Sequence, residues 1–252
     1  MPVAARTPRG VGRFLRGMFL ACGMLAMFPL GSAPRPRAAL RGDLFAQLVK
    51  RAPELDRRVL KLALQARDCA DRGQLQPTTR LAVIDYSRPS TQRRLWVLDL
   101  VRGQVLYTEH VAHGRGSGDN YSRQFSNREG SYQTSLGLFR TSETYIGGNG
   151  YSLRMDGLEP GINDAARERL LVMHGADYVD AAQALRQGRL GRSWGCPAVR
   201  REIARPLLDS LKGGQLLFAY YPNRQWLNGS RFLGCPPVRK PSAKPRLHAS
   251  SR

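Results

Sequence analysis

Residues 191–199 read G-R-S-W-G-C-P-A-V, an order that suits a nucleophile held in a tight turn. A cysteine thiol ionises near pH 8.5 when unperturbed, so about a few per cent is thiolate at neutral pH, and a neighbouring base raises its reactivity. Pro197 suits the first position of a helix, where its missing N–H costs nothing, and this predicts a helix start with Cys196 at the N-cap. The positive end of that helix dipole would favour the thiolate. Gly195 permits a sharp turn, so that the backbone N–H groups of Gly195 and Cys196 would converge on an oxyanion. Such a turn serves acyl transfer through a thioester, which also needs a proton carrier. His174, followed by Gly175 and preceded by the apolar run 170–173, is the candidate. Taken singly, Cys196 reads as a small buried hydrophobe and His174 as a core histidine; a His at a strand end with a Cys at a helix start favours catalysis.

The elements that must position this pair are legible as changes of period. Residues 43–72 repeat apolar positions at helical spacing on both sides of Pro53, which predicts a docking pair of helices. From Leu81 onward the runs 81–86, 94–100 and 104–112 are short and rich in branched and aromatic residues, and read as strands with a hairpin turn at Arg102 and Gly103. A Gly, Ser and Asn rich passage spans 113–131, followed by strands at 136–141 and 151–156 on either side of a glycine loop at 147–150. Long loops of this kind in a compact domain are usually functional or mobile. Asn163 is placed to cap a short helix through Arg169, and 170–173 forms a buried strand that delivers His174. Helices follow at 178–187 and 199–212, the latter broken at Pro206, with a last strand at 215–221. Tyr145 and Arg154 flank the glycine loop and are candidates to line a substrate groove.

The run H-G-A-D-Y at 174–178 followed by G-R-S-W-G-C-P-A-V resembles the murein L,D-transpeptidase catalytic domain family, the YkuD-like fold. Its signature is a His, a loop, then Ser or Thr, His, Gly, Cys, any residue, and Arg or Asn. The likeness extends through H-G-R-G-S-G at 113–118, F-S-N at 125–127, S-L-G-L-F at 135–139 and T-Y-I-G-G-N-G-Y-S-L-R at 144–154, and covers about residues 80–221. It implies a mainly β, α+β fold: a sandwich-type mixed sheet with a few helices, here with an N-terminal helical extension. It further implies that Cys196 attacks the carbonyl of the third stem-peptide residue of peptidoglycan, diaminopimelate, while His174 hands a proton to the departing D-Ala. An amine or water then resolves the thioester. The same resemblance makes the Gly175 carbonyl the orienter of the imidazole, puts Ser193 and Trp194 in support of the oxyanion turn, brings His113 near the cleft, and implies no metal and no organic cofactor.

This sequence departs from the signature in three places. Eighteen residues separate His174 from Ser193, slightly more than is usual; Trp194 occupies the second His position; and Ala198 stands where Arg or Asn is expected. Trp194 keeps its backbone N–H but loses any imidazole contribution. With Ala at 198, recognition of an acidic group on the substrate passes to Arg192 or Arg200.

The chain has 252 residues, 42% of them hydrophobic, enough for a real core, and a formal charge of +21. Much of that excess sits at the ends, since residues 1–42 carry seven Arg and no acid and residues 222–252 seven Lys or Arg and no acid. The 35 Arg against 5 Lys fit a genome's codon composition better than a function. Arg6, Arg9, Arg13 and Arg16 precede an apolar stretch too short and too broken by Gly23, Pro29 and Gly31 to span a membrane, which reads as a cleaved secretory signal within 1–39. The cut falls after Ala33 or near Ala38 or Ala39. Export to the periplasm or beyond removes Cys22 and leaves Cys69, Cys196 and Cys235, an odd number in an oxidising compartment. One thiol then stays free or pairs between chains; a Cys69–Cys235 bridge that leaves Cys196 free is one assignment.

The expected organisation is thus a signal region at 1–39, a helical lead-in at 40–79, a catalytic domain at 80–222 and a basic, unfolded tail at 223–252. The tail is a solvated extension or a contact to an anionic wall or membrane surface. Nucleic acid is disfavoured as a partner, because the charge is terminal and export removes it. The glycine loop at 113–118 lacks the Lys-Ser/Thr of a phosphate cradle, and four His without ligand spacing argue against zinc. The leading reading is an exported peptidoglycan L,D-transpeptidase; its rivals are an L,D-carboxypeptidase of the same chemistry and a non-catalytic wall-binding protein. Papain-like peptidases place Cys before His, the reverse of the order here.

Overall fold

The structure is a computed structural model that describes residues 37–72 and 78–235, with side chains from residue 43 onward. The expected signal region up to residue 36 and the basic segment 236–252 lie outside the described residues. In chain order the elements are α1 (Arg37–Arg51), α2 (Arg57–Ala70), β1 (Arg80–Asp85), β2 (Leu95–Asp99), β3 (Gln104–Glu109), β4 (Gly137–Gly147), β5 (Gly150–Gly157), β6 (Val172–Gly175), α3 (Ala181–Gln187), β7 (Ala198–Val199), α4 (Arg201–Leu211), β8 (Leu216–Tyr220) and α5 (Arg224–Gly229). The eight strands form one mixed sheet in the order β3-β2-β1-β8-β4-β5-β6-β7.

Strand composition explains the middle of the sheet. β1 (R-L-A-V-I-D) and β8 (L-L-F-A-Y) are nearly continuous apolar runs, pair in parallel from Leu81–Leu216 to Asp85–Tyr220, and are buried along almost their whole length. A parallel pair of this kind needs cover on both faces, and α2 and α4 both pack against β1. Asp56 caps α2, its carboxylate accepting the N–H groups of Arg58 and Val59. Pro206 lies inside α4 and does not break it. The expected break fails because Leu207, Leu208 and Leu211 are fully buried on one face, and that packing outweighs the backbone hydrogen bond that proline cannot make.

β4 runs six residues beyond its expected end at Thr141 and turns back at Gly148 and Asn149, with Gly147 opposite Gly150. β5 then pairs with β6, so that Tyr145, Ser152, His174 and Ala198 fall in one lateral row across four strands. Asn163 stands at the N-cap position of a short 3-10 helix but gives it no side-chain hydrogen bond, and the helix does not reach Arg169. Asn163 is fully buried, and its side-chain amide donates to the carbonyls of Leu136 and Leu138 while its oxygen accepts the N–H of Glu159. The 3-10 helix spans Asp164–Ala166.

The expectation that the chain is unfolded from 223 onward is corrected for 224–235. Trp226 in α5 is buried against Phe218 and Tyr220, and its indole N–H donates to Glu159 at 3.1 Å. Truncating a residue buried in this way typically costs about 3–5 kcal/mol, an anchor that the basic composition of the segment conceals. A disulfide joins Cys69 at the end of α2 to Cys235, and Cys196 is the free cysteine among the described residues.

Candidate active site

β7 places the turn that carries Cys196 against β6. The two strands are parallel, with His174 opposite Ala198 and Gly175 opposite Val199, so Cys196, two residues before Ala198, lies beside Val172. This corrects the expected helix start. Pro197 precedes a strand, and α4 begins at Arg201 with Arg200 as its N-cap residue. The strand wins because Ala198 and Val199 are fully buried and paired, a tertiary gain that no local preference of Pro197 matches. Cys196 therefore sits at no helix N-terminus.

Its electrostatics come from elsewhere. Cys196 is 8% exposed, and burial pushes its thiol above the ordinary value; the N–H of Val172, the guanidinium of Arg169 and its own N–H pull the other way. The Val172 N–H points at Sγ from 3.5 Å, and the thiol faces the carbonyl of Leu170 at 3.8 Å. Leu170 holds φ +54, a left-handed conformation uncommon outside glycine, directly beside the sulfur.

His174 is 4% exposed. Its Nδ1 lies 3.0 Å from the carbonyl oxygen of Gly175, and because a carbonyl only accepts, Nδ1 carries the hydrogen and Nε2 is the free lone pair. Burial holds the imidazole below its usual pKa, the Gly175 carbonyl opposing this and Arg201 adding to it. A neutral imidazole with a fixed tautomer is the form a general base requires.

The turn is stapled internally. Ser193 Oγ donates to the carbonyl of Cys196 at 2.6 Å and accepts the N–H of Gly195 at 3.1 Å, while Thr134 Oγ1 donates to the carbonyl of Gly195. Gly195 holds φ +131 and lies so close to the Gln133 carbonyl that a Cβ would stand 2.9 Å from it. The Gly195 N–H is thus spent on Ser193 and is not the oxyanion donor expected of it. The N–H groups of Trp194 and Cys196 donate to no other residue among those described.

A family model described as L,D-transpeptidase catalytic domain matches residues 51–220. The chain belongs to this family. Among solved structures, an L,D-transpeptidase from Mycobacterium smegmatis is similar at 14% identity over 57% of this chain and 60% of that chain, with a TM-score of 0.35. L,D-transpeptidase 3 from Mycobacterium tuberculosis is similar at 15% identity over 57% and 62%, with a TM-score of 0.35, and an L,D-transpeptidase from Stackebrandtia nassauensis at 13% over 71% and 77%, with a TM-score of 0.34. The matched part spans about three fifths of the mycobacterial chains. No curated protein matches.

Against the L,D-transpeptidase signature, Ala198 is an interior residue here. It is fully buried and belongs to a cluster with Ala112, Ala176, Val179, Ala184 and Leu190. Neither arginine expected to replace it is free: Arg192 pairs with Asp119 at 2.8 Å and donates to the Gly118 carbonyl, and Arg200 grips Glu109 through two bonds of 2.9 and 3.0 Å. Tyr145 shares the lateral row of His174, and Arg154, two residues along β5 from Ser152, lies on the same sheet face. The Arg154 guanidinium stacks 4.2 Å from the Tyr145 ring and pairs with Glu143.

His113 is not a cleft residue. It is fully buried, its Nδ1 accepts from Arg94 at 2.7 Å and its Nε2–H donates to Gly118 at 3.2 Å. Burial first, then Arg94, holds its pKa down to about 3. Arg94, also fully buried, spends its other donors on the carbonyls of Val111 and Arg88 and lies 5.1 Å from the Tyr86 ring.

Sequence reasoning missed Arg169. Its guanidinium donates to the carbonyls of Ser126 and Gln133 and to the hydroxyls of Ser131 and Ser135, all at 2.6–3.2 Å. It thereby straps the loop whose Gln133 abuts Gly195, and it is the cation that acts on Cys196. Nothing in the sequence distinguishes it from the other arginines.

Proposed function

We propose that this protein is a cysteine-dependent peptidoglycan L,D-transpeptidase. The observation that carries the reading is the tautomerically fixed imidazole of His174, opposite Ala198 on paired strands, with Cys196, the free cysteine among the described residues, two positions before Ala198 and beside Val172 of the His174 strand. The sulfur faces the Val172 N–H and the Leu170 carbonyl and is not hydrogen-bonded to the imidazole, so this mechanism requires it to turn from Leu170 towards His174. His174 Nε2 then takes the thiol proton as sulfur attacks the diaminopimelate carbonyl of a tetrapeptide stem. The oxyanion draws on the N–H groups of Cys196 and Trp194, which donate to no other residue among those described. On collapse, the C–N bond to D-Ala breaks, the nitrogen takes the proton from His174, and a thioester remains. An amine attacks it, loses a proton to His174, and returns the thiol.

Export belongs to the same proposal. A disulfide between Cys69 and Cys235 supports an oxidising compartment, in line with the basic and apolar N-terminal segment. The test is mass spectrometry after incubation of the protein with diaminopimelate tetrapeptides, beside Cys196→Ala. Cross-linked dimers or exchanged D-amino acids formed by the wild type alone are expected. Tripeptides alone would assign the carboxypeptidase chemistry, and an intact tetrapeptide with no adduct on Cys196 would leave a non-catalytic wall-binding protein.

A further inference from the structure

Three backbone segments converge on the outer side of the nucleophile turn. Gly114 bridges to Ser193, the Arg115 N–H donates to the Ser193 carbonyl at 2.8 Å, and the Gly116 N–H donates to the Tyr132 carbonyl at 2.9 Å. This brings the side chains of Arg115, Tyr132 and Trp194 together at the surface. The Tyr132 and Trp194 rings meet edge to face with centroids 6.0 Å apart, and the Arg115 guanidinium carbon lies 4.1 Å from the Tyr132 centroid and 5.9 Å from that of Trp194. Trp194 is 71% and Tyr132 40% exposed, although two residues further along the chain Cys196 is nearly buried. Tyr132 holds φ +53, a conformation that a tyrosine adopts only where its surroundings impose it.

Arg115 differs from the other arginines near the site. Arg192 pairs with Asp119, Arg154 with Glu143, Arg200 with Glu109 and Arg201 with Asp177. Arg115 makes no side-chain hydrogen bond or ion pair with any described residue, and its guanidinium lies over the two ring faces. A guanidinium stacked on an aromatic face keeps its N–H edges open, and those edges match a carboxylate through two parallel hydrogen bonds. The rings beside it offer an apolar, planar surface that a ligand would remove from water.

We propose that Arg115, Tyr132 and Trp194 form a carboxylate-binding subsite of the active centre, in which Arg115 grips a carboxylate of the peptide substrate and the two rings cover the adjoining apolar part. The subsite rests on the reading of Cys196 as an acyl carrier for stem peptides, and it takes the place of the substrate ligand that Ala198 does not supply. The two carboxylates on either side of the scissile bond are the candidates, one at the terminal D-Ala and one on diaminopimelate.

The test measures binding rather than turnover, on the full chain carrying Cys196→Ala, by calorimetry. The probes are the tetrapeptide as free acid, the same peptide amidated at the D-Ala carboxyl, and the same peptide amidated at the diaminopimelate carboxyl. Arg115→Gln is expected to weaken the free acid roughly 10- to 100-fold, as loss of hydrogen bonds to a charged group does, and Arg115→Lys to fall between. One amide should bind wild-type Arg115 weakly and be indifferent to Arg115→Gln; that amide identifies the carboxylate. Trp194→Ala should weaken all three peptides alike. Thermal melting checks that the exposed Arg115 can be changed without loss of fold. Equal affinities for the free acid with Arg and Gln at 115, or equal losses for all three peptides, would overturn the subsite and leave the enzymatic reading intact. Failure of every peptide to bind would overturn both.

Discussion

The sulfur of Cys196 lies 3.5 Å from the main-chain nitrogen of Val172, whose N–H points at it. That contact offsets part of the burial that pushes the thiol above its ordinary pKa, while His174 is held below its own. Both shifts act against a preformed thiolate–imidazolium pair, and on the proposed reading the proton moves only when substrate arrives. The alkylation rate of Cys196 by iodoacetamide should accordingly climb with pH and inflect above the ordinary thiol value. A plateau already present at pH 6–7 would sink the idea. His174→Ala should lower acyl transfer at least about 100-fold, and the acid limb of the wild-type profile should fall only below the usual imidazole value.

Arg169 supplies the positive charge that a helix terminus was expected to supply. Its four hydrogen bonds strap the 126–135 loop, and its charge favours the Cys196 thiolate. Arg169→Met should shift the alkylation curve to higher pH and cost about 2 kcal/mol of stability. Arg169→Lys should lose a similar part of the stability but keep most of the curve in place. Superimposable pH curves for wild type and Arg169→Met would reduce Arg169 to a loop strap.

That His174 and Cys196 belong to one region was legible in the sequence from residue type and spacing, and the parallel pairing of their segments places them on neighbouring stretches of chain. The setting of Cys196 was not legible, because it depends on β6, whose Val172 lies 24 residues away in the chain. Pro197 fits a helix start by every local measure, yet the chain gains more by adding Ala198 and Val199 to the sheet. The outer half of β4 escaped for a similar reason: T-S-E-T-Y-I shows little alternation, and its pairing with β5 makes it a strand. Arg169 and Arg115 were hidden by abundance, two among 35 arginines. His113 was misplaced because the sequence gives no sign that buried Arg94 spends a donor on it.

His113 should govern acid stability instead of substrate binding. Its folded pKa of about 3 lies below the unfolded value near 6.5, so between these limits the unfolded chain binds the extra proton. The stability this group contributes is complete above about pH 6.5 and is lost as pH falls towards 3. His113→Leu leaves Arg94 short of an acceptor in the interior, and should cost about 1–3 kcal/mol at pH 7 while flattening the acid limb of a pH–Tm curve. An unchanged limb in the variant would assign acid lability to other groups.

The Cys69–Cys235 bond closes a loop of 166 residues, which ties the end of α2 to the segment that follows α5. A cross-link over so long a stretch restricts the unfolded chain strongly and typically contributes about 2–4 kcal/mol. Neither cysteine adjoins the turn at 193–196, so the Cys69→Ser, Cys235→Ser variant should melt several degrees lower yet alkylate at Cys196 with the wild-type pH dependence. Peptide mapping of the oxidised protein should find Cys196 modified and Cys69 and Cys235 protected until reductant is added. Free alkylation of all three thiols without reduction would remove the bond, and with it the structural argument for an oxidising compartment. It would leave the chemistry of Cys196 and His174 untouched, because no atom of that pair is held by the bridge.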